Sequence, residues 1–178
     1  MKEQRFVIDD VAVRDALAMG LLGCLSSPDP TLRDGMAYEA FTQWLRNDQL
    51  QPEVRAQLRD RLYDRLKEAD EAGFRQSFAA LVLSEVARTD RISPWMSPAE
   101  RVAMVKAATQ YLRSVTDYRG FDNTEGWRHG VAHGSDWLLQ LALNPGVERA
   151  QLDQILEAIA TQVVPESGHA YVFGEPGR

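Results

Sequence analysis

Apolar positions recur at helical spacing along nearly the whole chain, and short polar breaks containing proline or glycine separate the runs. Apolar residues at i, i+3, i+4 and i+7 are typical of amphipathic α-helices, and strand-like alternation is nowhere sustained. The chain is therefore predicted to be all-α. The pattern predicts seven helices, at about residues 10–25, 30–46, 52–73, 74–89, 97–115, 126–143 and 147–164.

Residue types at the predicted helix starts support these bounds. Asp9 or Asp10 can cap the first helix, and Pro30 suits the first turn of the second. Ser97-Pro-Ala-Glu100 combines a capping residue, a proline at the first helical position and a glutamate three residues after the cap. A polar loop over residues 116–125 precedes the sixth helix, and the glycines and proline near the last residue predict an irregular tail.

Three of the predicted helices begin with a similar segment. Leu32-Arg-Asp-Gly-Met-Ala-Tyr38 aligns with Phe74-Arg-Gln-Ser-Phe-Ala-Ala80 and with Trp127-Arg-His-Gly-Val-Ala-His133. The spacing between these segments is typical of stacked two-helix units, which bury their apolar faces only against neighbouring units. We therefore expect one domain over residues 1–178, an α-α superhelix of the HEAT or armadillo kind. Its helix pairs would lie at about 10–46, 52–89 and 97–143, followed by 147–164 and the tail.

Charge and composition narrow the class of protein. The net charge is −6 over 178 residues, and basic and acidic residues alternate along the helices, which argues against nucleic-acid binding. No apolar run reaches the roughly 18 residues that span a bilayer, so no membrane role is expected. The N-terminus lacks the apolar core of a signal peptide, and a single cysteine excludes an internal disulfide. These features predict a cytoplasmic protein.

Two of the three histidines lie close together in the predicted sixth helix. On a helix, His129, His133 and Asp136 would share one face, because they stand at positions i, i+4 and i+7. Asp136 aligns with Phe41 and Leu83 in the sister helices, so packing of the repeat does not require a polar residue there. If the second helix of each pair lines the concave side, this polar stripe faces a groove.

The residue types of this cluster leave several roles open. His129, His133 and Asp136 can ligate a divalent metal, although no glutamate adjoins the first histidine as in a zinc-protease helix. Asp136 can instead orient His133 for acid-base chemistry, or the three groups can hold a polar ligand. A purely structural role is the further alternative, in which the histidines donate hydrogen bonds to the loop at residues 117–121.

Further candidates stand beside the cluster or align with it. Trp127 flanks the polar stripe, and Asp117 and Arg119 belong to the preceding loop. Asp34 and Tyr38 occupy the repeat positions of His129 and His133. Nucleophile motifs, a phosphate-binding glycine loop, a dinucleotide fingerprint and a CxxC pair are all missing from the sequence, which weakens the common enzyme classes.

Two blocks of the sequence resemble the motifs of a known family. Asp117-Tyr-Arg-Gly-Phe121 followed by Gly126-Trp-x-His-x-x-Ala-His-x-x-Asp136 is similar to the signature of DUF2785, a family of bacterial proteins of unknown function. Asp29-Pro30, Leu32-Arg-Asp34 and Ala37-Tyr38 resemble its earlier block. The resemblance implies that the residues of the cluster and its loop are family positions, and it names no reaction.

The first functional hypothesis is a non-enzymatic helical-repeat protein. It would bind a protein, a peptide or a small polar ligand in the groove at His129, His133 and Asp136. The alternative is a metal-dependent enzyme, of hydrolase type, that uses the same three residues as ligands. Because related chains can continue beyond the last helix, the outer face of the last unit is also a candidate surface for a partner or a homodimer.

Overall fold

A computed structural model describes residues 6–163 of the chain. The short antiparallel strands β1 (Phe121–Asp122) and β2 (Gly126–Trp127) are its only strands within those residues, so the all-α prediction is confirmed. Apart from a 3₁₀ turn at Leu22–Ser26 and a π-helical turn at Arg33–Tyr38, the remaining elements are α-helices. These are α1 (Val11–Leu21), α2 (Pro30–Leu32), α3 (Glu39–Arg46), α4 (Pro52–Arg65), α5 (Arg75–Ile92), α6 (Pro98–Ser114), α7 (Gly130–Ala142) and α8 (Arg149–Val163).

Helix starts follow the local capping signals of the sequence. Asp10 caps α1, its carboxylate accepting a hydrogen bond from the Val13 amide at 3.1 Å. At α6, the Glu100 amide donates to the Ser97 hydroxyl and the Ser97 amide donates to the Glu100 carboxylate, so the predicted capping box is confirmed. Pro30 opens a helical run that continues through the π-helical turn to Arg46, as predicted.

The prediction of a helix over residues 52–73 was too long, because α4 ends at Arg65. The Asp70 carboxylate accepts hydrogen bonds from the amides of Gly73 at 3.0 Å and Gln76 at 2.7 Å, and these bonds cap α5 instead of extending α4. Gly73 has a φ of +80°, which a continuing right-handed helix excludes. The segment between α4 and α5 is therefore a loop, even though its apolar spacing looks helical.

The prediction of a helix from Gly126 was also wrong at its start. Phe121 pairs with Trp127 and Asp122 with Gly126 in a small hairpin, and Gly126 has a φ of +78°. The helix begins only at Gly130, after His129 in a left-handed conformation with a φ of +52°. The first predicted site histidine thus lies outside the helix that was expected to present it.

Helix α5 forms the centre of the core. Thirteen of its 18 residues are buried, and it packs against α3, α4 and α7. Helix α6 packs against α7 and α8 on the other side. This arrangement places the N-terminal ends of α5 and α7 side by side, next to the hairpin and the π-helical turn. Across residues 6–163, no helix combines the length and the apolar character needed to cross a membrane.

Candidate functional site

A row of aromatic rings leads from the hairpin into α7. Phe121 packs on Trp127 with the ring centroids 5.0 Å apart, and the Trp127 indole stacks on the His129 imidazole at 4.0 Å, nearly parallel. The left-handed backbone of His129 turns its ring toward the hairpin, a conformation that costs a non-glycine residue roughly 1–2 kcal/mol. His129 and Trp127 are both half-buried, so the row lies at the protein surface.

His133 continues this row into the interior, where its side chain is buried. Its Nδ1 lies 3.1 Å from the Ser77 carbonyl oxygen in α5, and since a carbonyl only accepts, Nδ1 carries the proton. Its ring meets the edge of Phe78 at 5.1 Å and lies 5.8 Å from the His129 ring. This hydrogen bond therefore connects α7 to α5.

The π-helical turn places the Arg33–Asp34 ion pair near Phe78. Arg33, which is fully buried, forms an ion pair with Asp34 at 2.8 Å, and its guanidinium lies over the Phe78 ring at 4.8 Å. It also donates to the carbonyls of Ser27 at 2.9 Å and Glu125 at 2.7 Å. Burial lowers the pKa of Arg33 and raises that of Asp34, and their pairing opposes both shifts. Arg33 thereby joins the π-helical turn to the hairpin.

Tyr38, at the end of the π-helical turn, is electrostatically coupled to α7. Its burial is the main cause of its raised pKa, and the negative charges of Glu85 and Asp136 raise that pKa further. Glu85 in turn is buried and accepts two hydrogen bonds from Arg46. Tyr38 and Asp136, which stand far apart in the sequence, therefore lie close enough to influence each other.

Asp117 and Arg119 form a separate ion pair. The Asp117 carboxylate accepts from the Arg119 amide at 3.1 Å and from its Nε at 2.8 Å. Although burial alone would raise it, these hydrogen bonds hold the pKa of Asp117 below its usual range. Arg119 also donates to the Glu71 carbonyl at 3.0 Å, which ties the loop to the α4–α5 connection. Asp117 lines a polar cavity of about 170 Å³ beside Gly130.

Sequence reasoning missed two arginines that organise this region. Arg128 is buried, donates to the Ala72 carbonyl at 2.8 Å and pairs with Glu125 at 2.6 Å. The guanidinium groups of Arg33 and Arg128 lie over the Phe74 ring at 4.0 Å and 4.4 Å. The signal was present in the repeat, because Arg33 and Arg128 occupy the same position in their segments and Phe74 opens the third.

The metal hypothesis receives no geometric support from this arrangement. Within residues 6–163, no group of three or more histidine, cysteine, aspartate or glutamate side chains is arranged to hold a metal ion. Since His129 precedes the helix, the three predicted ligands do not share the helical face on which the hypothesis depended. Asp136 also lines a cavity between α7 and α8.

Comparison with known proteins places the site within a family. A family model described as "Protein of unknown function (DUF2785)" matches residues 62–178, which include the loop before α7 and α7 itself. No curated protein and no solved structure matches the chain significantly.

Proposed function

The chain belongs to the DUF2785 family, and we propose that it is a helical binding protein that holds a small polar ligand between the π-helical turn and the N-terminal half of α7. The residues that would contact the ligand are Asp34, Tyr38, Trp127, His129, His133 and Asp136.

The observation that carries the proposal is the left-handed conformation of His129. A glycine would adopt it without strain, yet the chain has a histidine there, stacked on Trp127. Strained conformations persist only where the surrounding structure enforces them, and they are enriched at binding and active sites. Phe6 and Asp48 share this conformation, but only His129 stands in the aromatic row beside the predicted cluster. The π-helical turn at Arg33–Tyr38 is a second such feature, since π-helical turns are frequent at functional sites.

The side chains of the site favour a ligand that donates hydrogen bonds. Asp34 and Asp136 are acceptors when ionised, and in the neutral imidazole of His133, with the proton on Nδ1, Nε2 is an acceptor too. The rings of Trp127 and His129 offer a flat apolar face beside them. This combination suits a small molecule with amino or hydroxyl groups and a short hydrocarbon frame.

We also infer that the helix pairs stack as units of an α-α superhelix. The second helix of each pair packs against the second helix of the next pair. Helix α5 thus lies between α3 and α7. Sequential contact between equivalent helices is the expected pattern of stacked two-helix units. In such a stack, α7 and the π-helical turn would belong to the same row of helices, which agrees with a ligand site on that row.

Thermal-shift measurements with a defined panel of compounds test the binding function. The panel would contain lysine, putrescine, glucose, inositol and succinate, each measured against the wild-type chain. A binding compound present at 100 times its Kd would stabilise the fold by about 2.7 kcal/mol. We expect an amine or polyol to raise Tm, and succinate, which lacks donors at neutral pH, to have no effect.

Two site variants and one control decide whether the effect belongs to this site. His129→Gly and Asp136→Asn should abolish the shift, whereas Asp64→Asn, at an exposed position of α4, should leave it unchanged. The proposal is wrong if no compound of the panel raises Tm, or if the site variants respond like the wild-type chain.

A further inference from the structure

The last two described helices expose large apolar side chains near the groove between them. Leu139 on α7 and Leu143, directly after its last residue, are 52% and 56% exposed, and Leu156 and Val163 on α8 are 64% and 69% exposed. On each helix these positions are spaced by multiples of the helical turn, so they form one stripe per helix. Elsewhere in the described chain, the exposed large apolar residues are distributed over α1, α2, α5, α6 and the hairpin.

A groove separates the two stripes. It has a volume of about 340 Å³. Its walls are mostly apolar (Leu138, Leu139, Ala142, Ile155 and Ile159), and Ser135 and Asp136 are its polar lining residues. The α7–α8 face thus combines protruding leucine and valine side chains with a concave groove. A surface that presents both can pair with itself around a two-fold axis, because the ridge of one copy can enter the groove of the other.

The area of the face is large enough for a dimer. From the exposed fractions, the two stripes and the groove present on the order of 500 Å² of apolar surface, near the upper limit for a monomeric protein. Two copies paired through it would bury about 1,000 Å² before any polar rim is added, which reaches the lower bound of specific interfaces. An isologous pairing of this kind also closes the assembly at two copies.

The charges that border the face do not oppose this pairing. Arg149 pairs with Asp153 at 2.9 Å, and Arg113 pairs with Glu157 at 3.3 Å, so the charged groups along α8 are locally balanced. Asp136 is the one charged side chain among the lining residues of the groove. Two copies can approach through α7 and α8 without strong repulsion.

We propose that this α7–α8 face is the interface of a homodimer, with a second copy of the chain as its occupant. Sedimentation velocity of the full chain from about 1 to 200 µM tests it, because mass action populates the dimer as the concentration rises. The expected result is a concentration-dependent shift from monomer to dimer, with no larger species.

Substitutions then locate the interface. Leu156→Glu and Leu143→Glu would place a charge in the buried contact of both copies and should raise the dimer Kd roughly tenfold or more. Val102→Glu, at a position of α6 that is 49% exposed, is the matched control and should not change it. Since all three side chains are about half exposed or more, circular dichroism and Tm should confirm that each variant stays folded.

Three results would overturn the proposal. The first is a full chain that remains monomeric over the whole concentration range, which would mean that residues 164–178 or another protein covers the face. The second is a dimer that Leu156→Glu and Leu143→Glu leave as tight as before. The third is a dimer that Val102→Glu weakens to the same extent, since the association would then lack a defined interface.

Discussion

The backbone of His129 yields the sharpest prediction, because two substitutions separate strain from ring contact. Both His129→Gly and His129→Ala remove the imidazole that stacks on Trp127 at 4.0 Å. Only glycine also removes the penalty of the left-handed conformation at a φ of +52°. The difference in the free energy of unfolding between the two variants therefore isolates the cost of the left-handed backbone conformation.

The cost of losing the ring contact and the gain from removing the backbone strain can both be derived from this geometry. Losing the stacked ring costs each variant about 0.5–1.5 kcal/mol. Glycine regains roughly 1–2 kcal/mol of left-handed strain, less about 0.4–1 kcal/mol for the greater freedom of a glycine in the unfolded chain. We therefore expect His129→Gly to be about 1 kcal/mol more stable than His129→Ala, and close to the wild-type chain.

Urea unfolding followed by circular dichroism measures this difference from the transition midpoints at a common slope. The wild-type chain is the reference, and Asp64→Asn on α4 controls for unspecific effects of substitution. If His129→Gly unfolds at the same or a lower urea concentration than His129→Ala, then the left-handed backbone stores no strain. The main argument for a functional histidine at this position would then fail.

Four further outcomes are expected from the structure. Arg33→Lys should lower the free energy of unfolding by about 2–3 kcal/mol, since one ammonium nitrogen cannot replace the two guanidinium nitrogens that bind Asp34, Ser27 and Glu125. The control is Arg61→Lys on the exposed side of α4, and an equal loss of stability in both variants would contradict this prediction. Gly73→Ala should cost at least roughly 1–2 kcal/mol in urea unfolding, because the residue has a φ of +80° and its new methyl group would meet the Asp117 carboxylate. Hydrogen bonds from Ser97 and Arg59 lower the pKa of Glu100 to about 2, below its usual 4.5. The ionised carboxylate therefore stabilises the fold above pH 4.5, and this stabilisation is lost as the pH falls toward 2. Over that pH range, the Tm of Glu100→Gln should fall less than the Tm of the wild-type chain. Elemental analysis of untagged protein should find less than about 0.1 metal ion per chain, and adding zinc, manganese or nickel should not change Tm. One bound metal ion per chain would instead support the metal hypothesis.

The structure places the predicted site residues in two separate groups. Asp34 and Tyr38 align with the two histidines and belong to the earlier family-like block, and Arg33 and Phe78 connect their segment to His133. Asp117 and Arg119, by contrast, form their own ion pair at the cavity beside Gly130. The helical face assumed for His129, His133 and Asp136 does not exist as such, since α7 begins one residue after His129.

The amino-acid sequence by itself determined the features that depend on near neighbours in the chain. Apolar spacing and caps define the helical class, the starts of α1 and α6 and the loop before α7, because the interactions involved span only three or four residues. The family match likewise follows from the order of the residues.

Tertiary structure alone decided where apolar spacing stops being a helix and which distant groups meet. Asp70 ends the α4–α5 loop by capping α5, and the hairpin holds Gly126 and Trp127 out of α7, although both segments have a helical pattern. Arg33 and Arg128 meet on Phe74 because burial of these charges requires carbonyls, carboxylates and a ring that come from four separate segments. The repeat aligns Arg33 with Arg128, but only the folded chain shows that both guanidinium groups lie over Phe74.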